Sequence, residues 1–129
     1  MCDSQRSPTE LTVLLYDPEK CVRSAAAQEL GRLGRSGFAA VRPLLADASW
    51  VVRYRACEAV GMIKLPEAYQ VLLETLADPH GHVRYMAVKG LGLLGDARAL
   101  PDVQQLLEDE NPFVRRIAKK VARDLSGSR

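Results

Sequence analysis

The pair Val-Arg returns four times along the chain, as Val22-Arg23, Val52-Arg53, Val83-Arg84 and Val114-Arg115, at spacings of 30, 31 and 31 residues. Five residues before each Val stands an Asp (Asp17, Asp47, Asp78, Asp109), and four after it an Ala (Ala26, Ala56, Ala87, Ala118). Further apolar residues follow eight positions after the Val (Leu30, Val60, Leu91, Ala122) and eleven after it (Leu33, Ile63, Leu94, Leu125). Columns that agree in this way define a repeat. A repeat of this length is one supersecondary unit, and it buries its apolar faces only by stacking on its neighbours.

Offsets of 0, 4, 8 and 11 fall on one stripe of a helix with 3.6 residues per turn. The spacing therefore predicts amphipathic helices over 20–33, 50–63, 81–94 and 112–125. A second stripe precedes each Asp: Leu11, Leu14 and Leu15; Val41, Leu44 and Leu45; Leu72, Thr75 and Leu76; Val103, Leu106 and Leu107. It predicts shorter helices over 8–16, 37–46, 67–77 and 97–108. The fold class is all-α: an α-α superhelix of four antiparallel helix pairs, one domain over 1–129 with repeats at 8–34, 37–64, 67–95 and 97–125. Strands are not expected. Aromatic residues, which strands favour, make up only 5% of the chain, while Ala and Leu, which favour helices, abound.

Punctuation agrees with these bounds. Gly34, Gly37 and Gly95 are read as ends or separators of helices, and Pro8, Pro66 and Pro101 as first-turn residues. Pro18, Pro79 and Pro112 are placed in the turns within pairs, and Pro43 should shorten the helix it interrupts. Cys2, Cys21 and Cys57 have no metal-ligand or redox spacing and read as free thiols of a reducing cytosol, which gives a cytoplasmic expectation. Ser126 to Arg129 read as a tail beyond the last helix.

These columns resemble the HEAT-like repeat named after phycobilisome lyases: Asp, turn residues, Val-Arg, small residues, Leu-Gly-x-Leu-Gly, a polar turn and a Leu-rich helix. Val83 to Gly95 followed by Asp96-Ala97-Arg98-Ala99-Leu100-Pro101 is the best match, and Val22 to Gly34 is nearly as good. Repeat two departs at Lys64, and repeat four at Arg123 and Ser126, as a terminal cap would. The resemblance implies that the longer helices line a concave face. On that basis the contact columns lie two, five and six residues after each Val: Ser24, Ala27, Gln28; Tyr54, Cys57, Glu58; Tyr85, Val88, Lys89; Arg116, Lys119, Lys120.

Tyr54 and Tyr85 share a column, so they should stand side by side, either as a recognition platform or as packing over the next repeat. Trp50 reads as an edge anchor or, with more weight, as a lid on the end of the core. The strict Asp and Arg columns suggest one structural ion pair or turn hydrogen bond per repeat. His80 and His82 lack further ligands, so a solvated helix start is preferred to a metal site. A di-iron hydroxylase is built on similar repeats with recurrent His-Glu pairs; this chain has none. No phosphate loop or nucleophile elbow occurs, and no metal or cofactor is expected.

Three functional readings remain. The first is a non-enzymatic scaffold that binds a protein partner through Tyr54, Glu58, Tyr85, Lys89, Arg116, Lys119 and Lys120. The second is a nucleic-acid-binding solenoid that uses the basic last helix, which carries Arg115, Arg116, Lys119, Lys120 and Arg123 against Asp124. The third is a subunit of a phycobilin-lyase-like enzyme. The net charge of +2 decides none of them. No apolar run approaches the ~20 residues that span a bilayer, so no membrane role is expected.

Overall fold

The structure is a computed structural model that describes residues 6–127, and within them every regular element is helical. The long helices are α2 (Lys20–Arg32), α4 (Trp50–Met62), α6 (Gly81–Leu94) and α8 (Pro112–Leu125). Each is preceded by a shorter partner: α1 (Pro8–Leu14), α3 (Arg35–Val41), α5 (Pro66–Thr75) and α7 (Leu100–Gln105). Cys2 and residues 128–129 lie outside the described residues.

Local sequence explains the boundaries. Ser7 and Glu10 close a reciprocal capping box on α1. Asn111 accepts from the first N–H groups of α8, where Pro112 occupies the first turn. Pro112 thus begins the helix and does not belong to the turn before it. Gly95, at φ 69°, ends α6 in a left-handed conformation that costs glycine little. Pro43 has no N–H to continue α3, and residues Arg42–Ala46 tighten into a 3₁₀ turn. Gly37 departs from expectation. It lies inside α3, buried, where an added Cβ would run into the Leu30 carbonyl, so it serves packing and not termination.

Each long helix packs directly on the next, whereas the short helices touch one another closely only at α1 and α3. The wedge between the 3₁₀ turn of repeat two and α5 is an open groove of about 530 Å³ lined by Arg42, Pro43, Val71 and Glu74. A tight layer and a splayed layer bend the stack toward the tight one. The long helices therefore form the concave side. Their approach depends on the glycines nine positions after the first three repeat Val residues, Gly31, Gly61 and Gly92: a Cβ added to Gly61 would lie 3.0 Å from the Gly90 Cα.

The core runs the length of the stack. Leu30, Val60, Leu72, Leu91 and Val103 are fully buried, and each large aliphatic chain contributes about 2 kcal/mol. Leu33 and Leu107 belong to the apolar columns but are partly exposed.

The Asp and Arg columns form a ladder. Every Asp accepts the backbone N–H two residues on, from Glu19, Ser49, His80 and Asn111 in turn, which shapes the turn. Arg53 donates from Nε and Nη2 to both oxygens of Asp78, at 2.9 and 3.2 Å, and from Nη1 to the Asp47 and Ala48 carbonyls. Arg84 grips Asp109 in the same way at 2.9 and 3.0 Å, with Nη1 on the Asp78 carbonyl. These rungs join successive repeats. Between repeats one and two the rung differs: Tyr16 donates its hydroxyl to Asp47 at 2.6 Å, and among the described residues Arg23 bonds only the carbonyls of its own turn.

Candidate functional site

The contact columns chosen from sequence divide when they are placed in the structure. Ala27, Cys57 and Val88 are fully buried, not exposed on the groove. A long helix inside a solenoid is flanked by neighbours on both sides as well as by its own pair, so its buried arc is wider than one stripe. Burial accordingly pushes the Cys57 thiol far above the usual range and leaves it inert.

Tyr54 and Tyr85 do come together. With Gly81, His82, Asn111 and Phe113 they line a slot of about 170 Å³ at the rim of the concave face. Neither phenol hydroxyl has a hydrogen-bond partner among the described residues. Burial raises the Tyr54 pKa, with the neighbouring charges opposing one another, so its hydroxyl remains a donor at neutral pH. Two arginines edge the slot: Arg55 lies 5.0 Å from the Tyr54 ring centre and Arg116 lies 5.6 Å from that of Phe113.

Beside the slot stands an aromatic shelf. Trp50 stacks on His80 at 3.9 Å with ring planes 11° apart, and the His82 ring lies 5.2 Å from both. Trp50 is 37% exposed, so it is a rim residue and no lid on the core. His80 is also no merely solvated helix start. Its Nδ1 accepts the His82 N–H and caps α6. Among the described residues no group of three or more His, Cys, Asp or Glu is placed to hold a metal ion.

The remaining candidates lie farther along. Glu58 and Lys89 line a second concave depression of about 180 Å³ together with Met62, Met86 and Leu93. Glu58 is tied to the buried Arg55 at 2.7 Å, whereas Lys89 makes no ion pair among the described residues. Lys119 and Lys120 are exposed on α8, and Lys120 reaches Asp124 at 3.1 Å. Phe113, Trp50 and the His pair were not among the residues chosen from sequence for the contact surface. Their signal was present in the columns: Phe113 stands in the same register as His82, one residue before the Val, and Trp50 lies four residues before Tyr54.

Four helix pairs stacked through a common core, with a ladder of turn ion pairs and a groove on the long-helix side, define an α-solenoid. The model of the HEAT repeats matches residues 8–83 and again 71–128. The chain belongs to the HEAT-repeat family. Its fold is similar to the CpcE–CpcF complex of phycocyanin lyase from Nostoc sp. PCC7120, with TM-score 0.80 and 19% identity over 93% of this chain and 78% of that one. It is similar also to human deoxyhypusine hydroxylase, with TM-score 0.73 and 23% identity over 95% of this chain. An engineered protein is similar at TM-score 0.62 and 17% identity over 94% of this chain and 63% of that one. The chain spans only 46% of the hydroxylase. No curated protein matches the sequence. At these identities the likeness concerns the fold alone. Among the described residues no helix is long and apolar enough to cross a membrane.

Proposed function

We propose that this solenoid is a non-catalytic scaffold that holds a segment of a partner protein along its concave face, anchored in the slot between Tyr54, Tyr85 and Phe113. The observation that carries this reading is the slot itself. Three aromatic rings from three successive long helices converge on it, two of them with hydroxyls that have no partner among the described residues. A volume of about 170 Å³ lies well under the roughly 300–1,000 Å³ of small-molecule and cofactor sites and suits one large side chain. Aromatic pockets with polar tips are the usual anchors of protein interfaces.

The test is affinity purification of the tagged protein from its native cell extract after nuclease treatment. It is run in parallel with Tyr85→Ala and with a convex-face control, Glu74→Ala. A discrete protein captured by the wild type and the control, and lost with Tyr85→Ala, is the expected outcome. Equal capture by all three would sink the slot as the anchor. Loss of all captured material on nuclease treatment would turn the reading to nucleic acid and the basic face of α8.

A further inference from the structure

We propose that the Arg115 guanidinium is a receptor for an Asp or Glu carboxylate, presented by an extended acidic segment of the partner whose apolar side chain fills the neighbouring slot. This inference rests on the scaffold reading above and specifies its ligand. The molecule shows twice what the Nε–Nη2 edge of this arginine column binds: Arg53 holds Asp78 and Arg84 holds Asp109, each through both carboxylate oxygens. Arg115 is held in the same posture. Its Nη1 donates to the carbonyls of Asp109 and Glu110 at 2.7 and 3.2 Å, as Arg53 does to those of Asp47 and Ala48 at 2.8 and 3.3 Å. Its Nε–Nη2 edge has no partner among the described residues, and the side chain is exposed. A guanidinium already oriented by two carbonyls loses little freedom on taking a bidentate carboxylate.

A fifth helix pair stacked in the manner of the other four is the wrong occupant. Close approach of the long helices uses Gly31, Gly61 and Gly92, nine residues after the repeat Val, and in α8 that position is Arg123. Its bulk keeps another helix at a distance. Phe113 and Arg115 leave α8 on different sides. A thinner, extended segment that crosses the start of α8 still reaches both, because the Arg115 guanidinium rests on the Asp109 and Glu110 carbonyls and the next residue, Asn111, lines the slot. Charge selects the segment. Glu58 is held by Arg55 and Asp124 by Lys120, while Glu110, the exposed carboxylate in the turn before α8, leans toward Arg84 at 3.9 Å. Lys89, Arg116 and Lys119 have no carboxylate partner among the described residues. Nucleic acid fits less well. The first two repeats present Ser24, Gln28 and a neutralised Glu58 in these columns, so no cationic track follows the groove.

Selection from a random peptide-display library on the immobilised chain, followed by calorimetry of the selected peptides, tests this. Peptides whose binding is lost with Tyr85→Ala are expected to carry a carboxylate close to one large apolar residue. Replacing that carboxylate by its amide should weaken binding about tenfold, Arg115→Lys should weaken it by a similar factor, and the two changes together should do no more than either alone. If Arg115→Lys fails to fold by circular dichroism, the amide-substituted peptide decides the matter without it. Slot-dependent peptides that bind equally well as amides would overturn the carboxylate receptor and leave the scaffold standing. Absence of any slot-dependent peptide would overturn both. Displacement of the selected peptides by oligothymidylate at equal or lower concentration would overturn the acidic-segment assignment in favour of nucleic acid.

Discussion

His80 does two things that depend on one proton. Its neutral Nδ1 caps α6 by accepting the His82 N–H, while its ring stacks on Trp50. Protonation removes the acceptor and places a positive charge at a helix N-terminus, beside His82 and near Arg53 and Arg84; only Asp78 opposes these. Burial, followed by these charges, lowers the pKa from 6.5. A protonated ring over Trp50 gains about 0.5–1 kcal/mol of cation–π attraction. Loss of the cap costs about 1 kcal/mol, and the helix dipole adds some tenths, so the neutral form wins. Because the folded pKa is depressed, the contribution is fully present above pH 6.5 and is lost as pH falls through the lower folded value. Thermal melts between pH 7.5 and 5, followed by the emission of Trp50, should show Tm falling over that window. In His80→Asn, which keeps a capping acceptor but does not titrate, the step should vanish. An identical step in the variant would remove His80 as its source.

The helices were the most legible part of the sequence. Offsets of 0, 4, 8 and 11 gave each long helix to within a residue, because a 3.6-residue period sustained over four repeats leaves no alternative register. The site was less legible, for two physical reasons. Stripe arithmetic assigns a helix one buried face, whereas α4 and α6 are enclosed on several sides, so Cys57 and Val88 vanished into the core. The slot also draws Phe113, His82 and Asn111 from the first residues of helices, ahead of the repeat Val, whereas the contact columns were sought only after it. What the family pattern shows without explaining is the glycine nine residues after the Val. Here it sets the spacing of the stack. Gly61→Ala puts a methyl 3.0 Å from the Gly90 Cα, on backbone that cannot rotate away. Helices α4 and α6 must then separate, at a cost of about 1–3 kcal/mol. Denaturant titration should show that loss despite the better helix propensity of Ala, which alone would stabilise by about 1 kcal/mol. A variant as stable as the wild type would mean that the interface yields freely.

Over the whole molecule, stability is a chain of neighbour terms, and the ladder shows where that chain is coupled. The rung from Arg84 to Asp109 is shielded, with side chains 10% and 7% exposed, and it ties the last repeat to the third. Burial works against ionisation of Asp109, but the Arg84 fork, the Asn111 N–H and the charges of Arg84 and Arg115 outweigh it and hold the carboxyl below its ordinary 3.8. The rung is therefore intact above pH 3.8 and fails as pH drops through the lower folded value, which makes the last repeat an early point of acid unfolding. Arg84→Met keeps most of the stem but leaves the Asp109 carboxylate buried with little beyond a backbone N–H. Removing one partner of such a pair costs about 3 kcal/mol. In a solenoid that cost need not spread. Amides of α8 should exchange faster by hydrogen exchange, while those of α2 and α4 keep their protection, because the third repeat retains its packing on the second. If protection fell equally in all four long helices, the molecule would unfold as a single unit, and the Asp–Arg ladder would be reporting the geometry of the turns rather than coupling between repeats.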